Sequence, residues 1–278
     1  MNAKPFLKWA GGKTQLLSEL VALLPSKINN YYEPFLGGGA LFFELKRLNK
    51  ISGEAFLYDT NQGLVNTYQQ IRDNLNDVID CLKYHRDFHD QAYFYACRNR
   101  YNANPKTSAF SASMFIYLNK TCFNGLYRVN KNNDFNVPIG SGKSRNGGIL
   151  DKDNLSLVSE ALQGVTIECK DFGYLYDVDF QKNDFVYLDP PYHQIDKKKS
   201  FVGYTQNGFG VREQIELRDL FAGLSGTNAR AMLSDSDTDF TRWIYSSNTR
   251  IETVQANRNI NSKGTGRGKV SEIVVMNY

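Results

Sequence analysis

The segment from residue 28 to residue 59, INNYYEPFLGGGALFFELKRLNKISGEAFLYD, decides the fold class of this chain. An apolar and aromatic run leads into three glycines at positions 37–39, and apolar residues then recur at helical spacing from Ala40 to Leu48. A second short β-rich run, Ala55–Tyr58, ends at Asp59. Strand, glycine turn, helix and strand in this order predict the beginning of a parallel sheet covered by helices.

Five further runs extend the predicted sheet. Residues 165–169, 184–188 and 230–233 are short apolar runs, and helical patterns separate the later ones. Residues 251–254 and 271–276 are rich in β-forming residues and flank a glycine-rich basic loop, which predicts a closing hairpin. We therefore expect an α/β fold whose sheet is mixed at one edge.

An insert interrupts the predicted sheet between its second and third strands. The strand signal lapses from residue 61 to residue 150, and a stretch rich in Gly, Asn and Lys ends near Gly148. We therefore predict a catalytic domain formed by residues 1–60 and 151–278, and a mainly helical insert over residues 61–150. Helices are predicted over Thr14–Leu24 in the catalytic domain and over Asn61–Arg86, Asp90–Asn102 and Ser108–Asn119 in the insert.

Composition excludes several classes of protein. The chain has 278 residues, 41% of them hydrophobic, and a formal net charge of +4, so it is neither a disordered chain nor a uniformly basic, histone-like one. Its four cysteines are irregularly spaced and predict no disulfide framework and no zinc site. The chain shows no signal peptide and no apolar stretch of the roughly 20 residues that a membrane span needs. We expect a cytoplasmic protein without a membrane anchor.

Two motifs follow predicted strands. EPFLGGG, residues 33–39, combines a glycine turn with Asp59 at the next strand tip; glycines allow close approach of a ligand, and the acid can accept hydrogen bonds from ribose hydroxyls. This pattern predicts a nucleoside cofactor. No third glycine of a dinucleotide fingerprint follows Gly39, which disfavours a pyrophosphate cradle. A plain tight turn is the alternative.

The second motif is DPPY, Asp189-Pro190-Pro191-Tyr192, directly after an apolar strand. Two prolines fix the backbone and remove two N–H donors, so a carboxylate and a neighbouring carbonyl become two fixed acceptors. Such a pair matches an –NH₂ group, and Tyr192 offers a flat surface for the ring that carries it. The alternative is a rigid turn with a core tyrosine.

Three other segments are candidates for ligand contacts. FLKWAGGK, residues 6–13, could form a wall for an aromatic or carboxylate-bearing ligand, or simply begin the first helix. Residues 119–140 interleave basic and aromatic side chains, and Asn124-Gly125 with the run to Pro138 predicts a β-ribbon that suits a nucleic-acid groove. A solvated loop is the alternative there. Residues 256–272 are basic and glycine-rich, which suits the phosphate backbone, or a mobile surface hairpin.

Histidines give weaker signals. His85 and His89 are four residues apart on a predicted helix, but no zincin glutamate follows and their neighbours are charged. We therefore interpret them as part of a solvated face and predict no metal site. His193 adjoins DPPY, and its role stays open.

These motifs, in this order and over essentially the whole chain, resemble the N6-adenine DNA methyltransferases of the Dam type in the α arrangement. The quoted residues look most like the Dpn-type GATC-specific modification methylases of restriction-modification systems. The resemblance implies a Rossmann-like methyltransferase sheet and an insert that recognises the target and bears a β-hairpin. It also implies S-adenosylmethionine as cofactor and methyl transfer to adenine N6 at GATC in double-stranded DNA. Base flipping and a cognate restriction endonuclease are further implications.

The resemblance also implies roles for individual residues. Asp189, Pro190 and Tyr192 match the catalytic motif. Residues expected to bind the cofactor are Trp9, Lys13, Phe35, Gly37, Gly39, Asp59, Asp171 and Asp189. Residues expected to bind DNA are Lys8, Phe123, Asn124, Leu126, Arg128, Pro138, Arg258, Lys263, Arg267 and Lys269.

Other functions fit parts of the pattern. A DPPY site could equally present a cytosine N4 amine, an RNA adenine or a protein glutamine amide. The glycine turn and Asp59 alone would suit an NAD-dependent oxidoreductase. A DNA-binding protein without catalysis is a third class.

Overall fold

A seven-stranded sheet forms the centre of the computed structural model, which describes residues 2–140, 148–192, 209–247, 249–257 and 269–278. All neighbouring strands are parallel except at one edge, where a single strand runs antiparallel to both of its neighbours. This confirms the predicted Rossmann-like sheet with its mixed edge. The strands are β1 (Tyr31–Glu33), β2 (Ala55–Asp59), β3 (Thr166–Cys169), β4 (Phe185–Leu188), β5 (Arg230–Ser236), β6 (Arg250–Asn257) and β7 (Lys269–Met276), in the spatial order β3-β2-β1-β4-β5-β7-β6.

Helices cover both faces of this sheet. Alternate residues of the central strands point into two separate cores: Tyr31 and Phe185 into one, Tyr32 and Val186 into the other. Strands buried on both faces are near-continuously apolar, as β4 is. The helices are α1 (Leu17–Leu23), α2 (Ala40–Arg47), α3 (Gln62–Asp73), α4 (Leu75–Asp87), α5 (Gln91–Ala103), α6 (Ala109–Thr121), α7 (Lys152–Ala161), α8 (Val211–Leu224) and α9 (Asp239–Ile244).

Two helix predictions need correction. The helix expected from Thr14 begins as a 3₁₀ turn over Lys13–Gln15 before α1. The single helix expected over residues 61–86 is two helices, because Asn74 leaves helical geometry with φ −136° and ψ 42°. Asparagine favours such breaks because its amide can replace backbone hydrogen bonds, and the Asn74 side chain donates to Gln70.

The predicted insert packs directly on the sheet. Helix α6 is almost entirely buried, and its Phe115 belongs to the same apolar core as Leu57 of β2. The division into a catalytic domain and an insert at residues 61–150 stays a prediction, since this core crosses both boundaries.

The β-ribbon expected near residues 124–138 is formed by two antiparallel bridges. These join Cys122 to Ile139 and Val129 to Phe135, and the connecting turn lies at 130–134. Asn124 and Gly125 form a separate tight turn in which both have positive φ, 55° and 65°.

The prediction that His85 lies on a solvated face is wrong. His85 is fully buried, and its two ring nitrogens bond to the Tyr93 hydroxyl (2.6 Å) and the Ser113 hydroxyl (3.0 Å). Burial lowers the pKa of His85 to about 4, so the ring is neutral. His89 is partly buried and bonds to the Tyr117 hydroxyl. Within the described residues, no group of His, Cys, Asp and Glu is arranged to hold a metal ion.

All four cysteines lie in described parts of the chain and are free thiols, as the spacing predicts. Among the described helices, none is both long and apolar enough to cross a bilayer.

Candidate active site

Several carboxylates lie close together where the parallel strands of the sheet end. Glu33 is the last residue of β1, Asp59 is the last of β2, and Asp189 directly follows β4. Because these strands are parallel neighbours, their carboxyl ends lie together. Glu272 joins this edge from β7, where it pairs with Ser236 at the end of β5. We call these four residues the acidic edge.

Burial shapes the charge of the acidic edge. Desolvation raises the pKa of Asp59 and of Asp189 to about 6 each. The pKa of Glu33 lies well above its usual range, because the side chain is buried and Asp189 and Asp59 add negative charge beside it. The Tyr31 hydroxyl donates to Glu33 at 2.9 Å, which favours its ionised form but does not outweigh burial. This edge therefore favours positively charged groups.

Lys13 contributes a positive charge to this edge. Its ammonium lies 2.6 Å from Asp189 Oδ1 and also donates to the Gly11 carbonyl at 2.8 Å. The Lys13 side chain is only 3% exposed, so little solvent screens this ion pair. Lys13 lowers the pKa of Asp189, although burial, with a smaller contribution from Glu272, keeps it raised.

The DPPY motif is held by contacts from three other elements: α8, β7 and the 3₁₀ turn that contains Lys13. The fully buried Gln214 of α8 lies with its amide nitrogen 3.5 Å from the Pro191 carbonyl. Tyr192 is half-buried; its hydroxyl donates to Glu272 Oε2 at 2.5 Å, and the Lys13 ammonium lies 4.6 Å from its ring centroid. Tyr192 is therefore a side chain of the acidic edge rather than of the apolar core.

The glycine turn closely contacts both Trp9 and Asp59. Gly37 has φ +46°, and a β-carbon there would lie 2.8 Å from the Trp9 indole, so no larger residue fits. The Gly37 amide donates to Asp59 Oδ2 at 3.1 Å, while Asp59 Oδ1 accepts from the Asn61 amide at 2.9 Å. Gly39 has φ +63° and precedes α2. Asp59 therefore fixes the turn at Gly37, the glycine whose amide it binds.

Aromatic rings lie beside this turn. The Phe35 ring stacks on Phe172, with centroids 5.6 Å apart, and meets Phe209 edge-on at 5.8 Å. Asp171 is exposed immediately before Phe172 and accepts a hydrogen bond from the Gly173 amide. The structure therefore brings Phe35 and Asp171 together, as a site for one flat ring would require.

Trp9 connects the glycine turn to the insert. Its indole stacks on Tyr127 (5.6 Å between centroids) and on Phe115 (6.4 Å). The N-terminal segment is therefore more than the start of a helix, because it lies between the acidic edge and the predicted recognition surface.

Most predicted DNA-contacting residues of the insert lie at one tip. The stem of the exposed Lys8 packs on Gly125, and the Asn119 side chain bonds both the N–H and the carbonyl of Lys8 at 2.8 Å. This packing places Lys8 beside Phe123, Asn124 and Leu126. The Phe123 amide donates to the Pro138 carbonyl, and its ring is 41% exposed. We call Lys8, Phe123, Asn124, Leu126 and Pro138 the recognition tip.

Arg128 lies on the arm that continues from this tip. Its Nε donates to Asn136 Oδ1 at 2.7 Å, and the two residues also share a backbone hydrogen bond across the arms. The half-buried guanidinium is therefore held in one orientation.

Arg258, Lys263, Arg267 and His193 lie outside the described residues, and Lys269 is placed only as the first residue of β7.

Three residues of this site were not predicted from the sequence. Glu33 stands in the quoted glycine motif, and an acid between an aromatic strand and a proline was its signal. Glu272 is the first acid after a basic segment, which gave only a weak signal. Gln214 lies on a helix 22 residues beyond Tyr192, and nothing local marks it.

Two kinds of comparison with known proteins point to the same family. A family model for D12 class N6 adenine-specific DNA methyltransferases matches residues 9–260. The chain is 38% identical over its full length to the type II methyltransferase M1.LlaDCHI of Lactococcus lactis, of which 96% is covered. It is 38% identical to the type II methyltransferase M.MjaIII of Methanocaldococcus jannaschii, with both chains fully covered. It is 34% identical to the DNA adenine methylase of Haemophilus influenzae, over 99% of this chain and 94% of that one.

Proposed function

Because the chain belongs to the D12 class of N6 adenine-specific DNA methyltransferases, we propose that it uses S-adenosylmethionine to methylate adenine N6 at GATC in double-stranded DNA. The observation that carries the proposal is the position of Asp189. It ends a buried strand, is followed by two prolines, and lies in the acidic edge beside the glycine turn. The enzyme would act beside a cognate restriction endonuclease, since two relatives are named type II methyltransferases. The cytoplasm is the proposed location.

Asp189 and the Pro190 carbonyl would hold the target amine. Each accepts one N–H hydrogen bond, which turns the nitrogen lone pair out of conjugation with the ring and towards the methyl donor. Tyr192 would stack on the ring that carries the amine. S-adenosylmethionine, when bound, supplies a methyl group on a positively charged sulfur. Since the amine is out of reach inside a duplex, adenine would be extruded from the stack.

The acidic edge supports S-adenosylmethionine over NAD. A dinucleotide would bring a pyrophosphate to the glycine turn, where the carboxylates of Asp59 and Asp189, when ionised, would repel it. A sulfonium ion carries the opposite charge and suits the same surroundings. The first turn of α2 after Gly39 is also filled by buried apolar side chains, which leaves little room for a phosphate cradle.

The remaining cofactor residues fit a nucleoside. Phe35 and Phe172 would contact the adenine ring, with Asp171 at its edge. Asp59 retains acceptor capacity for ribose hydroxyls beyond its two backbone hydrogen bonds. Trp9, Gly37 and Gly39 would form the wall, while Lys13 would lie nearest the reacting groups.

The recognition tip supports a duplex substrate. Phe123 is an exposed aromatic ring that would fill the gap left by an extruded base, with Asn124 beside it. Lys8, Leu126, Arg128 and Pro138 would read the GATC bases in the groove. The basic residues Arg258, Lys263, Arg267 and Lys269 would bind backbone phosphates without reading sequence.

Methyl transfer to matched duplexes tests the proposal. With labelled S-adenosylmethionine, we expect incorporation into a GATC duplex and almost none into a duplex with GTTC. Nucleoside analysis should place the label in N6-methyladenine. Equal labelling of both duplexes would remove the GATC assignment. Label in N4-methylcytosine, in RNA or in a glutamine amide would instead support the corresponding alternative.

The pH dependence of the reaction provides a second test. Asp189 must be ionised to accept a hydrogen bond from the target amine and to stabilise positive charge beside it. Its pKa of about 6 lies above the usual range for an aspartate. The value of kcat/KM should therefore rise as pH increases through about 6 and level off above it. A bound cation stabilises the carboxylate, so the inflection in kcat should lie at lower pH. The pKa of Asp59 is also about 6, so an Asp59→Asn variant removes its titration and leaves that of Asp189. A flat profile from about pH 5 to pH 8 would contradict an ionised Asp189 as the required form.

A further inference from the structure

Glu272 links the antiparallel edge of the sheet to the DPPY motif. Its carboxylate accepts the Tyr192 hydroxyl hydrogen bond at 2.5 Å, although the two residues are 80 positions apart. Because β7 runs antiparallel to β5, its first residues lie where β5 ends, and Glu272 pairs there with Ser236. The sheet topology therefore delivers this side chain to the acidic edge.

The prolines do not fix the tyrosine side chain. They restrict the backbone at positions 190 and 191, but rotation about the side-chain bonds of Tyr192 remains free. Two contacts orient the ring: the Lys13 ammonium against its face and Glu272 at its hydroxyl. Lys13 forms an ion pair with Asp189 and contacts only the face of the ring. Glu272 therefore fixes the hydroxyl end of Tyr192.

A contribution to stability alone does not explain why a charged residue stands at position 272. Its negative charge raises the pKa of Asp189 and so opposes ionisation of the group that must accept the amine. A neutral acceptor would hold the phenol without this cost. The carboxylate, however, makes a stronger, charge-assisted hydrogen bond and increases the electron density of the ring. An electron-rich ring face attracts a nearby cation more strongly.

We propose that Glu272 is a positioning residue that acts through the Tyr192 hydroxyl to hold the ring beside Asp189. The inference rests on the proposed methyl transfer. A positioning role predicts a change in kcat rather than in binding, since in the described structure Glu272 contacts neither the recognition tip nor the Phe35 and Phe172 rings.

A double-mutant cycle tests this link. Glu272→Ala should lower kcat roughly tenfold and leave KM for S-adenosylmethionine and the Kd for DNA within about threefold. Tyr192→Phe should lower kcat similarly. In the Tyr192→Phe background, Glu272→Ala should cause no further loss, because the hydroxyl through which it acts is gone. Glu272→Gln keeps an acceptor but loses the charge, so its kcat should fall between those of Glu272→Ala and the wild type.

Glu252→Ala is the matched control, since Glu252 lies on β6 of the same hairpin and pairs with Arg250. It should behave as wild type. Wild-type kcat in Glu272→Ala, or an equal loss in both backgrounds, would overturn the inference and leave the proposed function standing. Failure of Glu272→Ala to fold, judged by circular dichroism, would assign a structural role and also overturn it. A wild-type chain that methylates no DNA would overturn the proposed function, and this inference with it.

Discussion

Replacing Asp189 by alanine should abolish measurable methyl transfer, a loss of about a thousandfold or more, with DNA affinity largely retained. The carboxylate is one of the two acceptors proposed for the target amine, and no other side chain among the described residues occupies its place at the end of β4. Its removal also leaves the buried Lys13 ammonium without its partner, so positive charge would face the incoming methyl donor. Single-turnover methylation and filter binding on the same GATC duplex separate the two effects.

Two further variants sharpen this result. Asp189→Asn keeps the shape but replaces one acceptor oxygen by a donor, and it should be nearly as inactive as alanine. Asp179→Ala removes an exposed acid before the same strand and should leave activity unchanged. If Asp189→Ala lost DNA binding and activity in parallel, the residue would belong to the DNA interface or to folding. Activity near the wild-type level would support a DNA-binding protein in which DPPY has no chemical role.

Replacing Arg128 by alanine should relax specificity at one guanine of the site. An arginine that bonds guanine O6 and N7 discriminates by about 1–3 kcal/mol, roughly five- to 150-fold in the ratio of kcat/KM values. Asn136 already holds the guanidinium by a 2.7 Å hydrogen bond, so the side chain is ordered before DNA arrives. Competition between GATC and duplexes changed at single positions measures the ratio directly.

The control for Arg128 is another arginine of the insert. Arg86 on α4 is exposed and pairs with its neighbour Asp87, so Arg86→Ala should leave the specificity ratios unchanged. Asn136→Ala should reproduce part of the Arg128→Ala effect, because it removes the orienting hydrogen bond alone. Uniform weakening on every sequence, with a smaller salt dependence, would assign Arg128 to a phosphate instead.

The sequence predicted the sheet well because its strands carry strong local signals. The glycine turn, Asp59 and DPPY follow apolar runs at strand ends, and parallel topology brings such ends together. The closing hairpin and the mixed edge follow in the same way from β-rich runs around a glycine-rich loop.

The errors have a different origin. His85 has charged neighbours in the sequence, yet the aromatic rings of other helices enclose it, and helical periodicity alone does not reveal that partner surface. The break at Asn74 was missed because a single asparagine is a weak signal inside a long helical pattern. Contacts such as Tyr192 with Glu272 depend on strand register across 80 residues, which no local pattern encodes.

The shared core beneath α6 limits how target preference can be exchanged among relatives. A chimera joined at residues 61 and 150 would have to re-create the packing of the insert's buried side chains, Phe115 among them, in a foreign core, with large-to-small mismatches that each destabilise the protein. The loop closed by the Cys122–Ile139 bridge is a smaller transplantable unit, because Phe123 and Asn124 in it are exposed and stand outside that core. Val129, Phe135 and Val137 are buried within this loop, so a graft that preserves them should alter base preference without rebuilding the interior.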